Sequence, residues 1–208
     1  MLDLDPWIDQ QSRIVFDLPV EQALFRYYPE FISPSAAAKL FDLLIRETPW
    51  RSDKVKVFGK WYDQPRLTAW YATSPRSYSY SGLNLDSLEM TDPLNSLLKS
   101  IEQKTDARFN SVLLNLYRDG KDSNGWHSDD EKELGPDPTI ASVSLGEARV
   151  FQLKHKTTGA TYKFTLKSGS LLLMGSRSQI EWKHQLPKTK TQVGPRINGT
   201  FRWINQDD

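Results

Sequence analysis

Pro195-Arg196-Ile197-Asn198-Gly199-Thr200-Phe201-Arg202-Trp203 alternates in chemistry with the two-residue period of a β-strand. In a strand, Arg196, Asn198, Thr200 and Arg202 project to one face, while Ile197, Phe201 and Trp203 take the other. Four polar side chains turned into a β core cost free energy unless a polar ligand meets them. Two guanidinium groups in such a place call for carboxylates held by forked hydrogen bonds. A dicarboxylate such as 2-oxoglutarate satisfies both. The alternative is an edge strand whose polar face meets water, and the apolar flanks fit either version.

Outward from this segment the pattern stays β. Candidate strands are 112–117, 139–145, 149–154, 161–165, 170–174, 181–185 and 197–204, separated by Gly, Pro or charged turns. Short strands at this spacing predict a sandwich or a double-sheet jelly roll. Toward the N-terminus, Ser33-Pro34 is a good helix start, continued as an amphipathic run over 36–47 and stopped by Pro49. Thr91-Asp92-Pro93 opens a second helix with Leu94, Leu97, Leu98 and Ile101 on one face. Residues 51–83 read as hairpins, with Phe58-Gly59-Lys60 at one tip, and residues 1–30 read as irregular. The expectation is an α+β chain forming one domain over 1–208, with helices first and a β core after.

Composition narrows the class. The chain has 208 residues, 38% hydrophobic and 25% charged, which suits a folded soluble protein with a sizeable core. No run of 18 apolar residues occurs, so no membrane span is expected. Met1-Leu2-Asp3-Leu4-Asp5 is acidic and lacks an apolar signal core. There is no cysteine, which excludes disulfides and thiolate metal sites. An intracellular monomer is expected, cytoplasmic if the source is bacterial and nuclear if it is eukaryotic. Net charge is only +1, yet lysines and arginines recur at 54–66, 154–156 and 183–190. These are either ordinary solvated surface or a polarised binding face. Seven Trp, eight Tyr and nine Phe are mostly core material.

Only three histidines occur, at 127, 155 and 184. In His127-Ser128-Asp129 an imidazole and a carboxylate stand two apart, so in a strand or extended loop both reach the same side. His184, on a later strand candidate, could complete a 2-His-1-carboxylate face, which leaves positions open on iron for a co-substrate and dioxygen. By spacing alone, surface or core histidines explain the same pattern. His155, between Lys154 and Lys156, reads as surface.

Asn115-Leu116-Tyr117, His127-Ser128-Asp129, His184 and Arg196-Ile197-Asn198-Gly199-Thr200-Phe201-Arg202, in that order, resemble the AlkB family of iron(II)- and 2-oxoglutarate-dependent nucleic-acid dealkylating dioxygenases. The likeness covers roughly residues 55–204. It departs at Leu116, where relatives often carry Arg, and in the small Gly199. The resemblance implies a double-stranded β-helix (jelly roll) core over about 109–204 and a nucleotide-recognition hairpin lid over about 51–90. It implies iron(II) on His127, Asp129 and His184. Arg202 would pair with the metal-proximal carboxylate of 2-oxoglutarate; Arg196, Asn115 and Tyr117 would hold the distal one, supported by Asn198 and Thr200. The implied reaction consumes dioxygen and 2-oxoglutarate and releases succinate, CO2 and formaldehyde from an N-alkylated base.

The same resemblance suggests how a base is held. A base in a duplex must be flipped out to be reached. Tyr78-Ser79-Tyr80-Ser81-Gly82 is similar to the family's base-gripping segment. Tyr80 would stack on the base opposite the His127 ring, with Tyr78, Ser81 and Glu131 beside it. Val57-Phe58-Gly59 resembles the wedge that duplex-acting relatives push into the base stack, with Lys56, Lys60 and Arg66 placed to meet phosphates. Lys154 and Lys156 resemble a grip on the second strand. The expected partner is therefore alkylated DNA, duplex or single-stranded, closest to the duplex-acting branch. Packing of Tyr78 and Tyr80 within strands, or of Phe58 back onto the core, explains those residues without DNA. A dioxygenase of this fold acting on RNA, protein or lipid, and a non-catalytic β-barrel binding module, are the rival functions.

Overall fold

The computed structural model describes residues 24–57, 60–75, 77–80 and 83–205, with the backbone alone at 55–57, 60, 77–80 and 83–85. Strand β1 (Phe25–Tyr28) precedes helix α1 (Pro34–Glu47). Next come β2 (Lys54–Val57) with β3 (Lys60–Asp63), β4 (Leu67–Ala72), β5 (Ser77–Tyr80) with β6 (Leu83–Asp86), and the short β7 (Leu88–Glu89). Helix α2 (Asp92–Thr105) leads into β8 (Ser111–Tyr117) and β9 (Asn124–His127). The chain then runs through β10 (Ile140–Gly146), β11 (Arg149–His155), β12 (Thr161–Leu166) and β13 (Ser170–Met174). A one-turn helix α3 (Ser178–Glu181), β14 (Trp182–Leu186) and β15 (Arg196–Arg202) complete it.

Both long helices start where the local chemistry puts them. Ser33 caps α1, its Oγ accepting from the Ala36 N–H at 3.4 Å, and Pro occupies the first turn. Thr91 is the N-cap residue of α2, and Leu94, Leu97, Leu98 and Ile101 are buried as their spacing requires.

Seven strands form one sheet in the order β1-β13-β10-β15-β8-β4-β7, and four form a second in the order β12-β11-β14-β9. The two sheets make the jelly roll. One apolar cluster lies between them, joining Trp70, Leu113, Ile140 and Leu172 of the large sheet to Phe151, Leu153 and Trp182 of the small one. A second cluster packs α1 and α2 on the other face of the large sheet, through Leu40, Leu97, Ile101, Leu114, Val143 and Phe201. The large sheet is thus covered on both sides, and all seven residues of β8 and of β15 are buried. That excludes an exposed edge for β15, which lies between β10 and β8.

Three local expectations are corrected. Residues 25–28 are not irregular but pair with β13, completing one edge of the large sheet. Within 51–83, only β2–β3 and β5–β6 are hairpins with their own ladders; β4 joins the large sheet beside β8. Local alternation cannot say whether a strand's partner is its neighbour in sequence or a distant one. Residues 124–127 form a strand that the pattern Asn-Gly-Trp-His does not announce. No helix among the described residues is long and apolar enough to cross a membrane.

The turn after β10 depends on Gly146. Its φ is +82°, and an added Cβ would lie 2.5 Å from the Pro195 carbonyl and 2.6 Å from the Phe41 ring of α1. A left-handed non-glycine residue alone costs about 1–2 kcal/mol. Gly146→Ala is therefore expected to lose at least that much stability in urea titration. An unchanged midpoint would show that the turn and α1 can yield.

Candidate metal and co-substrate site

The small sheet carries the histidines. His127 of β9 is in register with His184 of β14, but Asn124 is in register with Leu186, so three steps on β9 match two on β14. This is a β-bulge, which re-aims side chains next to a site. It lets Asn124 and His127, three apart, both line the same cavity as His184 and Leu186. Asp129 lies past the end of β9, in an extended segment held by two bonds. Its N–H donates to Gln179 Oε1 at 2.9 Å, and the neighbouring Ser128 hydroxyl donates to the Trp182 carbonyl at 2.8 Å.

One nitrogen of each imidazole and one Asp129 oxygen lie within 4.8 Å of one another. The His127 Nδ1–H donates to the Gly125 carbonyl at 2.7 Å, which leaves Nε2 with its lone pair, 3.9 Å from Asp129 Oδ1. His184 Nε2 lies 3.9 Å from Asp129 Oδ2, and its ring stacks on Phe151 at 5.5 Å. Burial is the main cause pushing the His184 pKa down, to about 3, with the charge of His127 adding to it. Burial likewise lowers His127. Burial alone would raise Asp129, but Arg202, His184 and His127 outweigh it and hold its pKa at about 2. At neutral pH the trio is two neutral imidazoles and one carboxylate, the protonation state in which these groups bind a metal.

β15 supplies the opposite wall. Its alternation sends Ile197 and Phe201 toward the helices and Arg196, Asn198, Thr200 and Arg202 into the cavity. Arg202 donates to Asp129 Oδ1 at 2.7 Å, with both side chains almost fully buried. Asn198 Nδ2 donates to Ser142 Oγ at 2.8 Å, and the Thr200 hydroxyl donates to Asn198 Oδ1 at 2.9 Å. Arg196 donates to Ser144 Oγ at 2.8 Å and lies 5.4 Å above the Tyr117 ring. It has no carboxylate partner among the described residues, and its buried Nε has no hydrogen-bond partner there. Burial lowers its pKa to about 10, so it stays protonated near neutrality. A buried cation of this kind is costly unless an anion meets it. The donor set therefore fits an iron(II)-type face at one end of the cavity and a dicarboxylate between two arginines.

The other expected residues stand in several settings. Asn115 and Tyr117 line the cavity as expected. Two basic residues make contacts within the protein, Arg66 buried and Lys156 still exposed. Arg66 is buried at 5% exposure, its Nε donating to Asn115 Oδ1 at 2.8 Å. Lys156 donates to the Gln179 carbonyl at 2.8 Å and lies 3.6 Å from Asp130. Lys154 is exposed on β11. Glu131 is half-buried just past Asp129, opening the 3-10 turn Lys132–Leu134. His155 is half-buried rather than plain surface; its Nδ1 accepts from the Thr157 and Thr158 N–H groups, and its ring meets Trp182 edge-on. Val57, Tyr78 and Tyr80 lie on β2 and β5, where only the backbone is described. Phe58, Gly59 and Ser81 lie outside the described residues.

Several working residues escaped the sequence. Ser142 and Ser144 were legible in principle, because they alternate with Ala141, Val143 and Leu145 on a strand that needs a polar face to match β15. Nothing in the sequence marks Asn124, Gln179 or the burial of Arg66.

The family model of the 2OG-Fe(II) oxygenase superfamily matches residues 24–202. The chain is 40% identical over 189 residues to alpha-ketoglutarate-dependent dioxygenase alkB homolog 3 of Bos taurus, covering 86% of this chain and 65% of that protein. It is 36% identical over 188 residues to DNA oxidative demethylase ALKBH2 of Homo sapiens, covering 85% and 72%. The chain thus spans slightly under two thirds of the alkB homolog 3 relative. The solved structure of OsALKBH1 superposes with a TM-score of 0.54 at 16% identity, covering 86% of this chain and 97% of that one, a likeness of fold. The chain belongs to the 2OG-Fe(II) oxygenase superfamily and, within it, to the AlkB family.

Proposed function

We propose that the protein is an iron(II)- and 2-oxoglutarate-dependent dioxygenase that removes alkyl groups from nitrogen atoms of DNA bases. One observation carries this reading: a single cavity is lined by His127, Asp129 and His184 and also by Arg196, a buried cation with no carboxylate partner among the described residues. His127, Asp129 and His184 would hold iron(II). Arg196, Asn115 and Tyr117 would take the distal carboxylate of 2-oxoglutarate and Arg202 the near one, with Asn198 and Thr200 fixing the wall. Bound there, iron(II) supplies oxidation of the N-alkyl carbon by dioxygen, coupled to conversion of 2-oxoglutarate to succinate and CO2, and the carbon leaves as formaldehyde.

The chain's own part is placement and electrostatics. The Gly125 carbonyl fixes the His127 tautomer so that Nε2 keeps its lone pair for a metal. Arg202 keeps Asp129 ionised, and burial keeps His184 neutral. Arg66 orients Asn115, leaving its amide N–H groups to donate into the cavity.

The names of the relatives support a nucleic-acid substrate. A flipped base would be gripped by Tyr78, Tyr80, Ser81 and Glu131 against the His127 ring. DNA in single-stranded or duplex form is the substrate read here, with the protein acting as a monomer. The duplex reading rests on the Val57-Phe58-Gly59 wedge and on the exposed Lys154 and Lys156, since Arg66 is buried against Asn115. An RNA or protein substrate is the rival. It is decided by offering methylated single-stranded DNA, duplex DNA and RNA with iron and 2-oxoglutarate and reading products by mass spectrometry.

Three variants test the parts. Removing the Asp129 carboxylate outright would strip the buried Arg202 of its 2.7 Å counter-charge, and breaking such a pair costs about 3–5 kcal/mol. Asp129→Asn loses that counter-charge too but keeps an amide oxygen to accept from Arg202; it is expected to abolish Mn(II) binding in calorimetry, with a native circular-dichroism spectrum at low temperature and an earlier melt. Wild-type Mn(II) affinity in that variant would sink the metal assignment. Arg196→Met is expected to weaken 2-oxoglutarate binding by about 10- to 150-fold, the equivalent of a charged hydrogen bond of about 1.5–3 kcal/mol. Because it removes a buried cation, the ligand-free protein should not melt earlier. Unchanged affinity would place the co-substrate elsewhere. Phe58→Ala should reduce duplex repair far more than single-strand repair; equal loss on both would end the wedge reading.

A further inference from the structure

The outer face of the small sheet, turned away from the cavity, has a composition that the fold does not require. Its outward positions are Lys154, Gln152 and Val150 on β11, with Lys183 and Gln185 on β14. On β12, Thr161, Lys163 and Thr165 face the same way and are exposed. None of these positions is acidic, although the chain carries 26 Asp and Glu against 27 Lys and Arg. Lys154 and Lys183 are direct cross-strand partners. Like charges directly opposite are destabilising in a sheet, so the pair has no reason to be there in the isolated fold.

The pocket-side edge of this face is marked by an aromatic residue. Asn124 and His127 both line the cavity, and the bulge between them leaves Gly125 and Trp126 opposite Gln185. Trp126 does not line the cavity, is 39% exposed, and sits on β9, the edge strand of its sheet. From it a row of polar side chains crosses all four strands. Gln185 bonds Gln152 at 2.8 Å, and Gln152 is in register with Lys163. At strand spacings of roughly 4.8 Å the row is about 14 Å long. It ends at a groove of about 470 Å³ whose walls include Lys163, Lys188, Thr165, Thr189 and Thr191. No acidic residue lines that groove.

We infer that this outer face is a track for the single-stranded DNA that flanks the flipped nucleotide. The inference rests on the reading of the substrate as DNA. The neighbouring base stacks on Trp126 at the rim of the cavity. The following phosphates lie along Lys183 and Lys163, and the groove takes the next one. Charge complementarity selects a polyanion, and an exposed indole beside the cavity selects one with unstacked bases, which a single strand offers and a closed duplex does not.

The test uses the full-length protein and fluorescently labelled methylated single strands of 3 and 12 nucleotides, about that length being needed to occupy or miss the track. Binding is read by anisotropy across a salt series, with Mn(II) and 2-oxoglutarate present. Wild type should bind the longer strand more tightly. Lys163→Ser with Lys183→Ser, both at exposed positions, should lower the salt slope for the longer strand by about 1.4, at about 0.7 per lost phosphate contact. Trp126→Ala should weaken single-strand binding by about 5- to 150-fold. A lysine variant that keeps both the length dependence and the slope overturns the track. So does a slope that falls for duplex DNA but not for the single strand. If wild type binds neither form of DNA at any length, the DNA reading itself fails and the track with it.

Discussion

The contact on which the site depends is the buried pair between Arg202 and Asp129, 2.7 Å apart. Arg202 ends β15 in the large sheet, and Asp129 follows β9 in the small one. The pair therefore ties the two sheets together at the place where the chemistry is done. Both groups lose water on folding, and their mutual attraction has to offset that loss. What it secures is a protonation state: a carboxyl whose pKa burial alone would raise is held ionised, with its second oxygen turned toward His184. The histidines gain nothing comparable, and burial leaves them neutral. One ion pair thus sets up the whole donor set.

Charge then explains why Arg196 matters. Two guanidinium groups against one carboxylate leave the cavity one positive charge in excess. A divalent cation on the histidine end would raise that excess further, in surroundings where unpaired charge is expensive. A dicarboxylate is the ligand that brings it back down. Arg196 can wait for such a ligand because its cost is spread over the Ser144 hydroxyl and the Tyr117 ring. The large sheet, covered by helices on one side and the small sheet on the other, is what keeps water from doing the same job.

Much of this was legible, and the exceptions share a cause. The strands from 111 to 202 were readable because covered β-strands repeat every two residues, and their observed ends differ from the expected ones by at most two residues. The polar face of β15 was readable because Arg196, Asn198, Thr200 and Arg202 keep that period. β9 was not, because a bulge breaks the period just where His127 must be re-aimed. The burial of Arg66 was not readable because an arginine in a turn is ordinarily solvated, and only the fold brings Asn115 to it. Gln179, which holds the backbone of Asp129 from 50 positions away, has no local signature at all.

Arg66 also shows how the root of the β2–β3 hairpin and the cavity share one set of bonds. The β2–β3 hairpin leaves the large sheet through Asp53, whose carboxylate accepts from Thr68 at 2.7 Å and from Arg51 at 2.8 Å. The Gln64 N–H closes the root on the Asp53 carbonyl at 2.8 Å. Two residues later Arg66 reaches Asn115 in the cavity wall, and Pro65 accepts from the Ser123 N–H at 2.9 Å, next to the start of β9. A displacement of the root would therefore move the amide that lines the co-substrate end and the strand that carries His127. The base of the hairpin is thus bonded to the cavity wall. Substitutions at that base act on the cavity before they act on anything the hairpin touches.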